Sequence, residues 1–113
     1  MAEISKDGTV TSSATEIFET PANAVTIFSS LSGYAATDET VTVYLDNGGA
    51  AAATTNIIDV ITAEAGVTWF SPAVTAKRLA QGGKLYIKTA SGTTNWFLSG
   101  RTTPQNANAE TVG

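Results

Sequence analysis

Cysteine and histidine are both absent from the 113-residue sequence. Without cysteine the chain can form neither a disulfide nor a thiolate site, so its stability must come from packing and backbone pairing. Histidine is the side chain whose unperturbed charge changes near neutral pH. Most zinc sites and many nucleophilic mechanisms need one of these two residues. The two absences therefore exclude a large part of enzyme chemistry.

Charged residues are scarce as well. They make up 14% of the chain, and the formal net charge is −4. Binding to a phosphate backbone needs a dense set of basic side chains, so we expect no nucleic-acid partner. The start, MAEISKDGTV, has no apolar signal region, and no apolar run approaches the length that crosses a bilayer. We expect no membrane partner and a soluble protein made in the cytoplasm.

The sequence does contain 42% hydrophobic residues, enough for a chain of 113 residues to bury a core. Their spacing has period two. In the segment TVTVYLD, Val41, Val43 and Leu45 fall on one face and Tyr44 on the other. This alternation is typical of a half-buried strand.

The alternation repeats along the chain. In AVTIFSSLSGY it predicts that Val25, Ile27, Ser29 and Leu31 face inward. The other predicted strands are TEIFE (15–19), TNIIDVIT (55–62), VTWFS (67–71), VTAKRLA (74–80), KLYIKT (84–89) and TNWFLSG (94–100). Segments rich in Gly, Asn and Asp favour turns between them, at 21–23, 46–49, 63–66, 81–83 and 90–93.

Seven or eight short strands without a helical stripe predict an all-β protein, an antiparallel β-sandwich of jelly-roll or immunoglobulin-like type. We expect the sandwich to span residues 15–101. The polar ends predict an N-terminal arm at 1–14 and a flexible C-terminal tail at 102–113, which could order on a neighbouring subunit. The alanine-rich stretch 47–56 fits a loop or a turn of helix.

Small hydroxyl residues dominate the polar side of these strands. Threonine packs well on a pleated surface while its hydroxyl group stays in water. Removing hydroxyls and methyls from water costs less than removing lysine or glutamate. Such an exterior suits close docking against another protein. A surface that is merely solvated is the alternative interpretation.

Two adjacent aromatic pairs occur at Trp69 and Phe70 and at Trp96 and Phe97. Neighbouring residues in a strand point to opposite faces, so we expect one member of each pair in the core and the other exposed. Core packing is favoured for Trp96. Exposed aromatic side chains serve as interface hot spots or as stacking platforms for sugars. The candidate interface residues are Tyr34, Tyr44, Trp69, Phe70 and Phe97.

Carboxylates offer the remaining reactive chemistry. Asp38 and Glu39 are adjacent, and Asp46 precedes a turn segment, but the ligand series of a calcium loop is missing. The serines have no histidine base and no nucleophile elbow. We predict no catalytic residue, metal or cofactor. A solvated strand face or a salt bridge best explains the basic residues Lys77, Arg78, Lys84 and Lys88.

The chain resembles a family of small β-sandwich virion structural proteins from tailed bacteriophages. The resemblance lies in the ordered segments FETPANAVTIFSSLSGY (18–34), ETVTVYLDNGG (39–49), IIDVITAEAGVTW (57–69), LAQGGKLYIKTASG (79–92) and NWFLSG (95–100). The sequence departs from the family pattern at Gly83, where aspartate is common, and in the longer alanine run at 50–53.

This resemblance implies a noncatalytic protein located in the virion and made in the cytoplasm of a bacterial host. We expect a decoration or cement protein that binds the major capsid protein, or another virion protein, on the outer head surface. We also expect a homo-oligomer on the particle. A neck, tail or fibre accessory protein is one alternative. A carbohydrate-binding module for host attachment is another, and an enzyme with a carboxylate mechanism is a third.

Overall fold

The computed structural model describes residues 2–47 and 52–104. Within them the chain forms nine β-strands and a short 3-10 turn at Thr54–Asn56. The strands are β1 (Ala2–Val10), β2 (Thr15–Glu19), β3 (Ala24–Tyr34), β4 (Glu39–Asp46), β5 (Ile57–Ala63), β6 (Thr68–Phe70), β7 (Arg78–Leu79), β8 (Lys84–Thr89) and β9 (Thr94–Pro104). No helix in this part of the chain is long and apolar enough to span a membrane.

The strands form two antiparallel sheets that pack against each other, which confirms the predicted all-β sandwich. The front sheet has the order β1-β9-β3-β6, with β7 also paired to β3, and the back sheet has the order β2-β8-β4-β5. If the two-residue β7 is left out, β1 pairs with β9, β2 with β8, β3 with β6 and β4 with β5. This is the strand order of a jelly roll.

The inner faces of the two sheets supply one hydrophobic core. Val43, Leu85 and Ile87 of the back sheet are fully buried, and Phe28 and Leu98 of the front sheet are nearly so. Each such side chain contributes about 1.5 to 3 kcal/mol through burial. The alternation predicted for the segments around Val43, Leu85 and Leu98 is therefore confirmed, because these residues face the core.

The residues of strand β3 that face the core are not all the predicted ones. Val25 and Ile27 were expected to face inward, but Thr26 and Phe28 fill the core and Ile27 is 37% exposed. The pairing of β3 with β9 shifts register between Phe28 and Ser30. The β-bulge there adds one residue, so the inward set changes parity and Leu31 becomes buried. A period-two count cannot continue across such a bulge.

The expected N-terminal arm at 1–14 is corrected over residues 2–10. These residues form β1, which pairs with β9 from Ala2 opposite Thr102 to Val10 opposite Thr94. Ile4 and Val10 are buried in the core. Two buried apolar residues are enough to hold β1 in the sheet because the neighbouring strand β9 forms hydrogen bonds with its backbone. The sheet also extends through residues 102–104, and the rest of the predicted tail lies outside the described residues.

The strand predicted at 74–80 is mostly a turn. The Val74 amide donates to the Ser71 carbonyl at 3.3 Å, and the Lys77 amide donates to the Val74 carbonyl at 3.0 Å. Ala76 has a positive φ of 67°, which ends any extended run before Arg78. Residues 48–51, which include part of the predicted turn at 46–49 and of the alanine run, lie outside the described residues.

Candidate docking surface

The outer face of the front sheet carries exposed aromatic side chains. Phe70, Phe97 and Tyr34 are 64%, 50% and 47% exposed. Phe97 in β9 and Phe70 in β6 both lie opposite Ser32 in β3. Adjacent strands are separated by about 4.8 Å, so the two phenylalanines stand about 10 Å apart with a serine between them. We call Tyr34, Ser32, Phe70 and Phe97 the aromatic face.

The aromatic pairs divide between core and surface as predicted. Trp69 and Trp96 are 3% and 7% exposed, whereas Phe70 and Phe97 point outward. The Trp69 indole Nε1 donates to the buried hydroxyl Oγ1 of Thr94 at 2.8 Å, which satisfies the polar atom that burial would otherwise leave unpaired. Trp69 therefore belongs to the core and does not present its ring on the surface.

Tyr44 is the second candidate that lies away from this face. It sits in β4 opposite Tyr86, in the back sheet, and is 7% exposed. The structure thus brings together Tyr34, Phe70 and Phe97 and separates them from Tyr44 and Trp69. Spacing in the sequence could not separate these two sets, because side-chain exposure depends on which strands become neighbours.

The position of Tyr34 depends on the glycine before it. A Cβ atom at Gly33 would overlap the Asn95 carbonyl oxygen and the Trp69 ring, so a glycine is needed for this close approach. The Tyr34 amide donates to Oδ1 of Asn95 at 2.7 Å. Gly33 and Asn95 therefore hold one end of the aromatic face, although sequence analysis gave neither residue a role.

Two further rows of outward residues continue the face along the strands. Ser5, Ser99 and Ser30 lie side by side in β1, β9 and β3, and the hydroxyls of Ser30 and Ser99 are hydrogen-bonded at 2.7 Å. The next row across the sheet consists of Glu3, Arg101, Ile27 and Arg78. These residues are far apart in sequence, so only strand pairing reveals that they share a face.

The outer face of the back sheet is of a different kind. Its exposed apolar residue is Val60, at 57%, and Thr40 and Thr62 lie beside each other in β4 and β5. Lys84 contacts Glu16 at 3.6 Å. The Glu16 carboxylate, with smaller contributions from Tyr86 and Glu19, raises the pKa of Lys84.

The basic residues do not form one patch. Lys84 and Lys88 lie in β8 of the back sheet, whereas Arg78 lies in β7 of the front sheet with Lys77 just before it. Lys84 has the salt-bridge role that sequence analysis favoured. The separation leaves each sheet with only part of the positive charge of the segment 77–88.

The acidic residues accept hydrogen bonds from neighbouring loops. Oδ1 of Asp38 accepts from the Ala65 amide at 2.8 Å. Glu39 accepts from the Ser91 amide at 3.3 Å and from the Thr37 hydroxyl at 3.4 Å. Within residues 2–47 and 52–104, no three acidic residues are close enough together to hold a metal ion. Asp38 and Glu39 thus have a structural part in joining loops.

Two of the open depressions formed by the described residues lie near strand ends. The smaller, of about 200 Å³, is lined by Asp38, Glu39, Thr40, Thr62, Ala90 and Ser91. The larger, of about 470 Å³, is lined by Glu19, Thr20, Pro21, Ala22, Gln81 and Gly82. The larger depression has a single carboxylate, Glu19, so its lining supplies no pair of acid and base. Neither depression includes a residue of the aromatic face.

No protein-family model matches the chain, and no curated protein matches it. The fold is similar to that of a solved structure of Bacillus endospore appendages, described as a novel family of disulfide-linked pili. The two chains are 14% identical, with a TM-score of 0.52, and the match covers 92% of this chain and 86% of the other. At this level of identity, the similarity concerns the fold.

Proposed function

We propose that the chain is a noncatalytic structural subunit that assembles with other protein subunits through the outer face of its front sheet. The observation that carries this proposal is the alignment of Phe97, Ser32 and Phe70 across three neighbouring strands, with Tyr34 beside them. Exposed aromatic residues that flank a small polar residue such as Ser32 are typical anchors of protein interfaces. The adjoining serine row is easily removed from water.

Within this class, we propose a virion protein of a tailed bacteriophage that decorates or cements the outer head surface. Its partner would be the major capsid protein or another virion protein. The sequence segments between residues 18 and 100 that resemble the virion family support this assignment. A neck, tail or fibre position is the alternative within the virion.

An extracellular appendage is a second structural setting, favoured by the similar fold of the Bacillus endospore appendage chain. That protein belongs to pili described as disulfide-linked. The present chain has no cysteine, so disulfides could not join its subunits. An appendage built from it would depend on noncovalent contacts between sheets, edges or loops.

The direct test is to measure the chain in purified particles by quantitative mass spectrometry. We expect it in fixed stoichiometry, with tens to hundreds of copies for a head lattice and a handful for a neck or tail. Its absence from purified virions would overturn the virion assignment. Its recovery in purified surface filaments would favour the appendage setting.

A binding assay tests the docking surface separately. Purified Phe70→Ser protein should bind particles that lack the subunit less well than the wild type does. Val60→Ser is the matched control, because Val60 is a similarly exposed apolar residue on the opposite sheet. Equal loss of binding by both variants would contradict docking through the aromatic face.

Carbohydrate binding is the second candidate function, and the exposed rings of Phe70 and Phe97 favour it because sugars stack on such platforms. A glycan array should then show selective binding that Phe70→Ala removes and Val60→Ala retains. A flat response across the array would count against this candidate.

A further inference from the structure

We propose that two copies of this chain pair face to face through their front sheets, about a two-fold axis that runs parallel to the strands between β9 and β3. The inference rests on the proposed structural role and deepens it, because it names a second copy as the partner of the aromatic face. It follows from the cross-strand registers and from the charges on this face.

The symmetry determines which residues meet. The axis places β9 of one copy opposite β3 of the other, and it places β1 opposite β6 and β7. The rotation keeps each cross-strand row at the same position along the strands and reverses its order across the sheet. Each row therefore faces the same row of the second copy, read in the opposite direction. Such an interface is isologous, meaning that every contact between two different residues occurs twice.

The centre of the aromatic row is complementary to its reverse. The row contains Asp7, Phe97, Ser32 and Phe70 in the order β1, β9, β3 and β6. In the pair, each Phe97 faces Ser32 of the second copy, and each Asp7 faces Phe70 at the edge of the contact, where the carboxylate stays in water. The small serine, flanked by two larger rings, leaves room for the incoming ring. Alternation of large and small side chains is what allows two sheets to interdigitate.

The charged row is complementary to its reverse too. The row contains Glu3, Arg101, Ile27 and Arg78 in the corresponding order. Each Glu3 therefore faces Arg78 of the second copy. The aliphatic stem of Arg101 covers the partly exposed Ile27 of the second copy. Within the described part of the chain, Glu3, Arg78 and Arg101 form no ion pair of their own. In the pair, Arg78 in β7 would face an opposite charge, and Arg101 in β9 would gain an apolar contact.

An in-plane axis perpendicular to the strands is disfavoured by charge. A two-fold axis perpendicular to the strands at the serine row would place β1 over β1. Glu3 would then face Asp7 of the second copy twice, and like charges brought together oppose association. The axis parallel to the strands avoids this contact. The Ser5, Ser99 and Ser30 row lies between the two complementary rows and lets the sheets approach.

The contact area predicts a modest affinity. The rows from Glu3 to Thr9 extend about 20 Å along the strands, and four strands cover about 15 Å across them. This footprint, about 300 Å² on each copy, is smaller than that of standard specific interfaces, so we expect weak pairing, with a dissociation constant on the order of 0.1 mM or above. The pair should therefore form in solution at high concentration and form more completely where a lattice concentrates the subunits.

Charge reversal with rescue is the decisive experiment. We expect sedimentation equilibrium of the full chain to show a monomer–dimer equilibrium that Glu3→Arg and Arg78→Glu each weaken about tenfold or more. The double variant should restore association, because the opposite charges again face each other. Phe97→Ser should abolish dimers, whereas Val60→Ser should leave them unchanged. Circular dichroism verifies that each variant is folded.

Three results would overturn the pairing: a wild-type chain that stays monomeric to about millimolar concentration, single reversals that do not weaken association, or a double variant that is not rescued. The first of these leaves the structural role intact if the chain still occurs in purified particles. A chain that pairs as expected but is absent from virions and filaments would instead contradict the proposed function while retaining the pairing.

Discussion

The two sheets of this sandwich are alike on their inner faces and different on their outer faces. Leu98 in the front sheet and Leu85 in the back sheet are both buried. Outside, the front sheet presents Phe70 and Phe97, whereas the back sheet presents threonines and the Lys84–Glu16 ion pair. Since both sheets are held by the same core, the aromatic residues outside are not needed to pack it. Among the described residues, strongly exposed aromatic side chains occur only on the front sheet, and this difference supports the docking role proposed for that face.

The largest effect should come from the shared core. Leu98→Ala and Leu85→Ala should each lower the free energy of unfolding by about 2 to 5 kcal/mol, because each removes buried methyl groups and leaves a cavity. Urea denaturation measures both, with the exposed Val60→Ala as control. A loss below about 1 kcal/mol for one of the two leucines would mean that the sheets do not contribute equally to one core.

A backbone contact specific to the front sheet gives the next largest effect. Gly33→Ala should destabilise the fold by up to about 3 kcal/mol, because the new methyl group would overlap the Asn95 carbonyl and the Trp69 ring. Denaturation monitored by tryptophan fluorescence measures this loss, and Trp69 lies beside the substituted residue. The outward neighbour Ser32→Ala is the control, and equal stability of the two variants would refute the crowding.

Loss of one buried hydrogen bond should cost somewhat less. Thr94→Val removes the oxygen that accepts from Trp69 Nε1 and should reduce stability by about 1 to 2 kcal/mol, since the indole N–H stays buried. Thr62→Val makes the same chemical change at an exposed position of the back sheet. If both valine variants are as stable as the wild type, the indole must find another acceptor.

The outer faces should contribute little to folding. At concentrations too low for association, Phe97→Ser in the front sheet and Val60→Ser in the back sheet should each change stability by less than about 1 kcal/mol. Chemical denaturation of dilute protein tests this. A much larger loss for Phe97→Ser would show that its ring supports the fold of the monomer and would contradict its role in docking.

The smallest effect concerns the ion pair of the back sheet. Glu16 raises the pKa of Lys84 above its ordinary value of 10.5. The stabilisation is therefore fully present below the pKa of the unfolded chain and is lost as pH rises through the higher folded value. Because both side chains are partly exposed, we expect a small difference in melting temperature between wild type and Glu16→Gln at neutral pH. This difference should vanish at strongly alkaline pH and shrink in high salt, while Glu3→Gln should show no such pattern.

The accuracy of the sequence predictions followed the regularity of the strands. Strand β4 pairs with β8, and β9 with β1, in unbroken register. The inward residues around Val43, Leu85 and Leu98 were identified correctly, although Tyr44 on the other face of β4 is buried as well. The bulge between Phe28 and Ser30 reversed the parity of β3, and this irregularity has no signal in a period-two count. Strand β1 was missed because charged and hydroxyl residues surround Ile4 and Val10.

The candidate surface was predicted in the same uneven way. Alternation placed the members of each aromatic pair on opposite faces, but it left Trp69 among the surface candidates, and the structure buries it. It could not show that both phenylalanines flank Ser32, since residues 32, 70 and 97 meet only through strand pairing. Nor could it show that Glu3 and Arg78 share that face.

The sequence by itself determined that the chain is a cysteine-free sandwich of alternating strands, because side-chain alternation is a local consequence of extended backbone geometry. Tertiary structure alone decided the jelly-roll strand order, the burial of Tyr44 and Trp69, and the collection of aromatic and charged rows on one sheet. These features depend on which distant strands form hydrogen bonds to each other and in what register. A local pattern carries no information about that choice.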